Sequence, residues 1–263
     1  MGDRSAPGLR IETDDGVTTL TLDRPEARNA LSGEAMDALS SWLAAARDDE
    51  AVRVVVLTGA GTAFSAGGDI AAMQDKIDRP ELWDRTADAL RRLIFAVLDF
   101  DKPLIARING HAVGFGATLA LFCDVTFAVD GAKIGDLHVG AGLAAGDGGA
   151  LIWPQLVGLS RAKEYLLSGD LMDAAEAARL GLINHAVPED QLDERVYGLA
   201  RRLAAGATES IRATKRLLNL PLRERAQAQM EIGLALSAQS NLSGEHREAV
   251  RAFADKRKPN FRR

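Results

Sequence analysis

Two kinds of apolar run alternate through the first two-thirds of the chain. Residues 17–22, 52–57 and 104–108 are short and rich in Val, Leu, Ile and Thr, which predicts strands. The Val-rich run at 52–57 has the composition of a strand buried on both faces. Between these runs the period changes. Met36, Leu39, Leu43 and Ala46 recur at spacings of three and four, Ala35, Ala38 and Trp42 widen the stripe, and Ser32 stands where an N-cap is needed, so a helix is predicted from Ser32 to Arg47. Residues 82–98 repeat the helical spacing, and Pro103 closes the link to the strand at 104–108. A glycine-rich turn then opens a short buried helix at 117–122, while Asp23-Arg24-Pro25-Glu26 reads as a turn.

The last third is mostly helical in pattern, at 160–167, 173–180, 191–205, 209–218, 222–242 and 245–256, with one short strand at 182–187. Alternation followed by helices predicts an α/β core over residues 1–200 and a C-terminal helical region over 201–263, which packs on the core or on a neighbouring subunit. No internal repeat, low-complexity tract or interdomain linker interrupts this plan. The stretch from Met73 to Trp83 has no pattern that fixes its conformation.

With 47% hydrophobic residues in 263, the chain can bury a substantial core. Its net charge of −5 gives no general electrostatic reason to bind nucleic acid or an anionic membrane, so any anionic ligand must be held locally. The single cysteine, Cys123, sits in an apolar run and reads as a buried, inert thiol of a reducing compartment. The first seven residues lack a signal-like apolar region and no run approaches the ~20 residues of a membrane span, so a cytoplasmic protein is expected. The four histidines and one cysteine show no ligand spacing, and no metal is expected.

Two small-residue segments carry the candidate chemistry: Phe64-Ser65-Ala66-Gly67-Gly68-Asp69-Ile70, and Asn109-Gly110-His111-Ala112-Val113-Gly114-Phe115-Gly116-Ala117. Each follows an apolar strand-like run and can aim bare backbone N–H groups into a site. Two such donors on one thioester oxygen would stabilise an enolate or a tetrahedral oxyanion, at roughly 3–4 kcal/mol per donor. The helix that opens near Gly116 adds the partial positive charge of its N-terminus. Ordinary strand-to-helix turns would use the same residues. A dinucleotide fingerprint at Gly59-Ala60-Gly61 is the weaker alternative, because Phe64 stands where a third glycine is needed.

These segments, taken with Leu22-Asp23-Arg24-Pro25-Glu26-Ala27-Arg28-Asn29-Ala30-Leu31, with Gly142 and Gly146-Asp147-Gly148-Gly149, with residues 174–183 and with the tail 253–261, resemble the enoyl-CoA hydratase/isomerase (crotonase) superfamily over nearly the whole chain. The resemblance implies a crotonase-like ββα spiral core with a C-terminal helical trimerisation region, and a homotrimer or dimer of trimers. It implies an acyl-CoA thioester as substrate and no cofactor beyond the coenzyme A that the substrate carries. Carried over, it puts the oxyanion-hole amides at Ala66 and Phe115. Basic contacts to coenzyme A fall on Arg24, Arg28 and Lys256, and Ala27, Gly68, Asp69 and Ile70 line its pantetheine and adenine slot. Gly114 and Thr118 fall among the substrate contacts.

The chain departs from the family where hydratases carry two acid/base glutamates. Those positions hold Thr118 and His138. Threonine is no base near neutral pH, which leaves His138 as the proton-transfer group, with Asp147 across a glycine-rich loop to orient it. The same two residues could instead be a loop histidine and a helix-capping aspartate. Asp136 and His111 are weaker candidates, and His185 and His246 read as packing residues. The leading expectation is addition of water to a 2-enoyl-CoA with a His base. Hydrolysis of a thioester or of a β-diketone carbon–carbon bond, and acyl-CoA binding without turnover, are the alternatives.

Overall fold

A computed structural model describes residues 4–262 of the chain. Its larger sheet has the spatial order β1 (Arg4–Ala6), β2 (Leu9–Asp14), β3 (Val17–Leu22), β4 (Val54–Gly59), β6 (Leu104–Ile108), β8 (Val125–Val129) and β11 (His185–Val187). The first three strands form an antiparallel meander, and from β3 onward every pairing is parallel. A second sheet runs β10 (Met172–Asp173), β9 (Lys133–Gly135), β7 (His111–Val113), β5 (Ala63–Ser65).

The two sheets grow together. After each of β4, β6 and β8 the chain turns tightly, adds a short strand to the second sheet and then enters a helix or a 3-10 turn. Each repeat is therefore a ββα turn of a spiral, the crotonase-like α/β fold. The intervening helices are α1 (Gly33–Ala46), which precedes β4, then α2 (Ile70–Asp78), α3 (Leu82–Asp99) and α4 (Phe115–Leu121). Ser32 caps α1, its Oγ accepting from the Ala35 amide at 3.2 Å, and Met36, Leu39, Leu43 and Ala46 are buried along one face. The larger sheet is covered on both sides: Leu20, Leu22, Val55 and Leu57 join the main core, whereas Val54, Val56 and Ile105 pack under Leu192, Val196 and Ala200 of α7 (Glu189–Ala204). Burial on both faces is the reason that β4 shows no alternation.

The C-terminal third comprises α5 (Gly149–Ser168), α6 (Ala174–Leu180), α7, α8 (Thr208–Asn241) and α9 (Gly244–Ala254). The predicted helices at 209–218 and 222–242 are one helix, with Pro221 inside it. An internal proline removes a backbone bond, and tertiary contacts hold the helix on either side of it: Asn219 donates to the Leu98 carbonyl at 3.1 Å and Arg223 pairs with Asp99 at 2.8 Å. The predicted helix at 160–167 extends back to Gly149 across a kink at Gly158, whose φ is +76°. The antiparallel strand β2 had a legible signal in Leu9 and Ile11, which alternate inward. The short strands β5, β7, β9 and β10 had none. No described helix is long and apolar enough to cross a membrane.

Candidate active site

The two glycine-rich segments close on one another beside the end of the second sheet. Gly67 has φ +83°, and a methyl group placed on it would lie 2.7 Å from the Val113 carbonyl oxygen and 3.1 Å from the Phe115 nitrogen. Only a residue without a side chain lets these backbones meet. Gly116 packs as closely, since a Cβ there would sit 2.6 Å from that of Ser65. The loops line one side of a cavity of about 490 Å³, whose wall includes Ala66, Gly68, Asp69, Gly114 and Phe115. The side chain of Ile70 lies outside the described residues.

The Ala66 amide is not free to serve as an oxyanion donor. It donates to the Arg28 carbonyl at 2.9 Å, and the next amide, Gly67, donates to Ser65 Oγ at 3.2 Å. The following amide, Gly68, has no such partner among the described residues, and it lines the cavity. Phe115 opens α4, so its N–H lies outside the intrahelical ladder and is available in the same way. The donor pair that the backbone offers is therefore Gly68 and Phe115. The family resemblance puts the first donor two residues earlier, because residue order does not show that the Arg28 carbonyl, at the end of a turn, uses the Ala66 amide.

Facing these loops is a buried triad. His138 Nδ1 lies 2.6 Å from Asp136 Oδ1, and its Nε2 lies 3.3 Å from Asp147 Oδ2. The two carboxylate side chains are 1% and 5% exposed, and the imidazole 16%. His138 and Asp147 line the cavity, with Asp136 behind the ring. Asp136 also accepts the His138 backbone amide at 2.9 Å, a local Asx turn that fixes the ring from both ends. That Asp-x-His spacing is the signal that raises Asp136 above its weak standing in the sequence. Asp147 is fixed as well: its Oδ1 accepts from the Gly149 amide at 3.1 Å and from Thr118 Oγ1 at 3.5 Å. One oxygen thus meets the first amide of α5 while the other meets His138. Thr118 is fully buried and does not line the cavity; its contact is with Asp147.

Burial by itself would lower the pKa of His138, but the charges of Asp147 and Asp136 outweigh it and push the value up to about 10. Burial raises Asp147 above the ordinary carboxylate range, a trend that His138 opposes and Asp136 reinforces. Burial works to raise Asp136 too, yet the charge and hydrogen bonds of His138 hold it below that range. At neutral pH the ring is therefore an imidazolium, with a proton on each nitrogen. In that form the ring is a proton donor, so the two carboxylates favour an acid role for His138 over the base role expected from sequence. Asp147 is buried, and its Oδ2 has no hydrogen-bond partner apart from this ion pair. Asp136, His138 and Asp147 also bring donor atoms within 4.8 Å of one another, a set that could ligate a cation. Here both ring nitrogens face carboxylates at hydrogen-bond or ion-pair distance, so a metal would have to displace those protons.

The remaining candidates lie apart. Arg24 spans to Asp69 at 3.4 Å and to the Ala30 carbonyl at 3.2 Å, while Arg28 and Lys256 are exposed and have left-handed backbones. None of these three lines the cavity, nor does the half-buried Ala27; the basic tail residue that does is Arg257, which pairs with Glu248 at 2.6 Å. His111 accepts the Lys133 amide, His185 stacks on Phe127, and His246 is buried against the Ala141 carbonyl, so all three are packing or turn residues.

Comparison with known proteins identifies the family. The family model described as Enoyl-CoA hydratase/isomerase matches residues 12–263. The chain is 34% identical over 259 residues to the crotonyl-CoA hydratase of Syntrophomonas wolfei, covering 95% of this chain and 96% of that one. It superposes with a TM-score of 0.88, at 31% identity, on an enoyl-CoA hydratase/isomerase from Mycobacterium paratuberculosis, covering 93% and 97% of the two chains. An enoyl-CoA hydratase from Mycobacterium avium subsp. paratuberculosis superposes with a TM-score of 0.89 at 27% identity, covering 98% and 100%. The chain belongs to the enoyl-CoA hydratase/isomerase family and is an enzyme of that family.

Proposed function

We propose that this member of the family adds water to a 2-enoyl-CoA, with Asp147 and His138 dividing the work of the missing glutamate pair. The carrying observation is the Asp147 carboxylate 3.3 Å from His138 Nε2, both on the wall of the cavity that Gly68 and Phe115 also line. Asp147 takes a proton from water as the oxygen bonds to Cβ, and the displaced electron pair moves onto the thioester oxygen. The two amides hold that enolate. His138 Nε2 then protonates Cα, and the proton on Asp147 returns to His138 across their contact, which restores both groups. Asp136 keeps the ring charged and oriented throughout.

The same proposal gives Arg24, Arg28 and Lys256 to the phosphates of coenzyme A and takes the enzyme to be a trimer or a dimer of trimers. Exposed Leu217, Leu218 and Leu220 on α8 support self-association, which sedimentation would measure. A second reading, hydrolysis, is favoured by Thr118: with one acid/base couple, Asp147 could direct water at the carbonyl held by the same amides.

One experiment separates them. Loss of enone absorbance and release of free thiol are followed in parallel on short and medium 2-enoyl-CoA substrates, for wild type, Asp147→Asn and His138→Ala. Absorbance loss without thiol, lowered roughly 10²–10⁴-fold in each variant, is expected of the hydratase. Thiol release alone would transfer the assignment to thioester hydrolysis, and absence of both would move it to other acyl-CoA chemistry or β-diketone carbon–carbon cleavage.

A further inference from the structure

The mechanism leaves a lysine in the cavity without a task. Lys76, on α2, lines the cavity beside Trp83 and Thr86 of α3 and Ser237 and Asn241 of α8, with its Nζ 5.8 Å from the Trp83 ring centroid. Met36, Leu90, Val250 and Phe253 make the surrounding wall apolar. Burial lowers the pKa of Lys76, and Asp69, which acts through space to raise it, is already bound by Arg24 at 3.4 Å. No hydrogen bond or ion pair of the Lys76 ammonium occurs among the described residues. The other basic residue on the wall, Arg257, is committed to Glu248 by contacts at 2.6 and 3.1 Å.

Removing an ammonium from water without a partner is unfavourable, and an apolar side chain of the same length would fill this wall at no such cost. The backbone here is held in place, since Asn241 Nδ2 donates to the Lys76 carbonyl at 3.3 Å and ties α2 to the end of α8. A half-buried cation on an anchored helix, with an apolar wall around it and no direct ion pair among the described residues, can take a counter-charge from a ligand. We propose that Lys76 binds a carboxylate at the far end of the acyl chain, so that the preferred substrates are CoA thioesters of unsaturated dicarboxylic acids. This rests on the reading of the cavity as an acyl-CoA site.

The test uses saturated ligands, which cannot be hydrated, on the full chain. Dissociation constants are measured calorimetrically for butanoyl-, hexanoyl- and octanoyl-CoA against succinyl-, adipyl- and suberyl-CoA, with wild type, Lys76→Met and Lys76→Arg. Coenzyme A is common to every ligand, so a contact to its phosphates cancels. At the chain length that fits, a charge-assisted hydrogen bond gives the carboxylated ligand an advantage of about ten- to a hundredfold. Lys76→Met should abolish that preference, and Lys76→Arg should keep most of it. Equal affinity within all three pairs, or a preference that survives in Lys76→Met, overturns the assignment while leaving the acyl-CoA reading intact. If none of the six ligands binds, both fall.

Discussion

Replacing Asp136 with asparagine tests the charge state on which the proposed proton transfers depend. The substitution keeps the side-chain shape and removes one of two negative charges that face His138. The contact that loses its charge is a 2.6 Å hydrogen bond between nearly buried groups, and hydrogen bonds to charged groups contribute about 1.5–3 kcal/mol. At about 1.4 kcal/mol per pH unit, that lowers the His138 pKa by about one to two units from its value of about 10. Asp136 does not line the cavity, so the substrate keeps its contacts. The assay is the pH profile of kcat/KM, paired with titration of the ¹⁵N-labelled imidazole by NMR. If His138 acts as an imidazolium acid, the wild-type alkaline limb falls near the ring pKa, and in Asp136→Asn both limb and ring pKa move down together. An alkaline limb that stays in place while the ring pKa moves would refute the argument. So would activity that rises as the ring loses its proton, the behaviour of a histidine base.

Stability should follow the same proton. A raised His138 pKa contributes stability that is fully present below the unfolded value of 6.5 and is lost as pH rises to about 10, at up to about 1.4 kcal/mol per pH unit; thermal unfolding across that window should show the decline, and a flat curve would contradict it. Gly67→Ala combines a φ of +83° with a methyl 2.7 Å from the Val113 oxygen, so it should lower Tm and reduce kcat/KM further than unfolding explains, whereas Gly198→Ala, with open space around its Cβ, should leave activity unchanged. Cys123 is buried and its thiol pKa is pushed up by that burial, so thiol reagents should label it only when the chain is unfolded; labelling at the native rate of a surface cysteine would count against the packing.

Much of this was legible from residue order, because the signals were local. The helix α1 could be read from its stripe and its Ser32 cap, β6 from a short run that is apolar but for Arg107, and α7 from a repeat at helical spacing. The unbroken α8 was not, since Pro221 argues locally for an end and the contacts that override it come from α3, far away in sequence. The four short strands of the second sheet carry too few residues to show a period.

At the site, sequence determined the inventory: two glycine-rich loops, a histidine and an aspartate in place of the glutamates, and Thr118 where a carboxylate is usual. Tertiary structure decided the roles. Which amide is free depends on Arg28 reaching Ala66, and whether His138 is an acid or a base depends on two carboxylates meeting its two nitrogens. A residue type sets which proton or hydrogen bond is chemically available, but partners brought together across the chain set which are already used and which charge state is favoured.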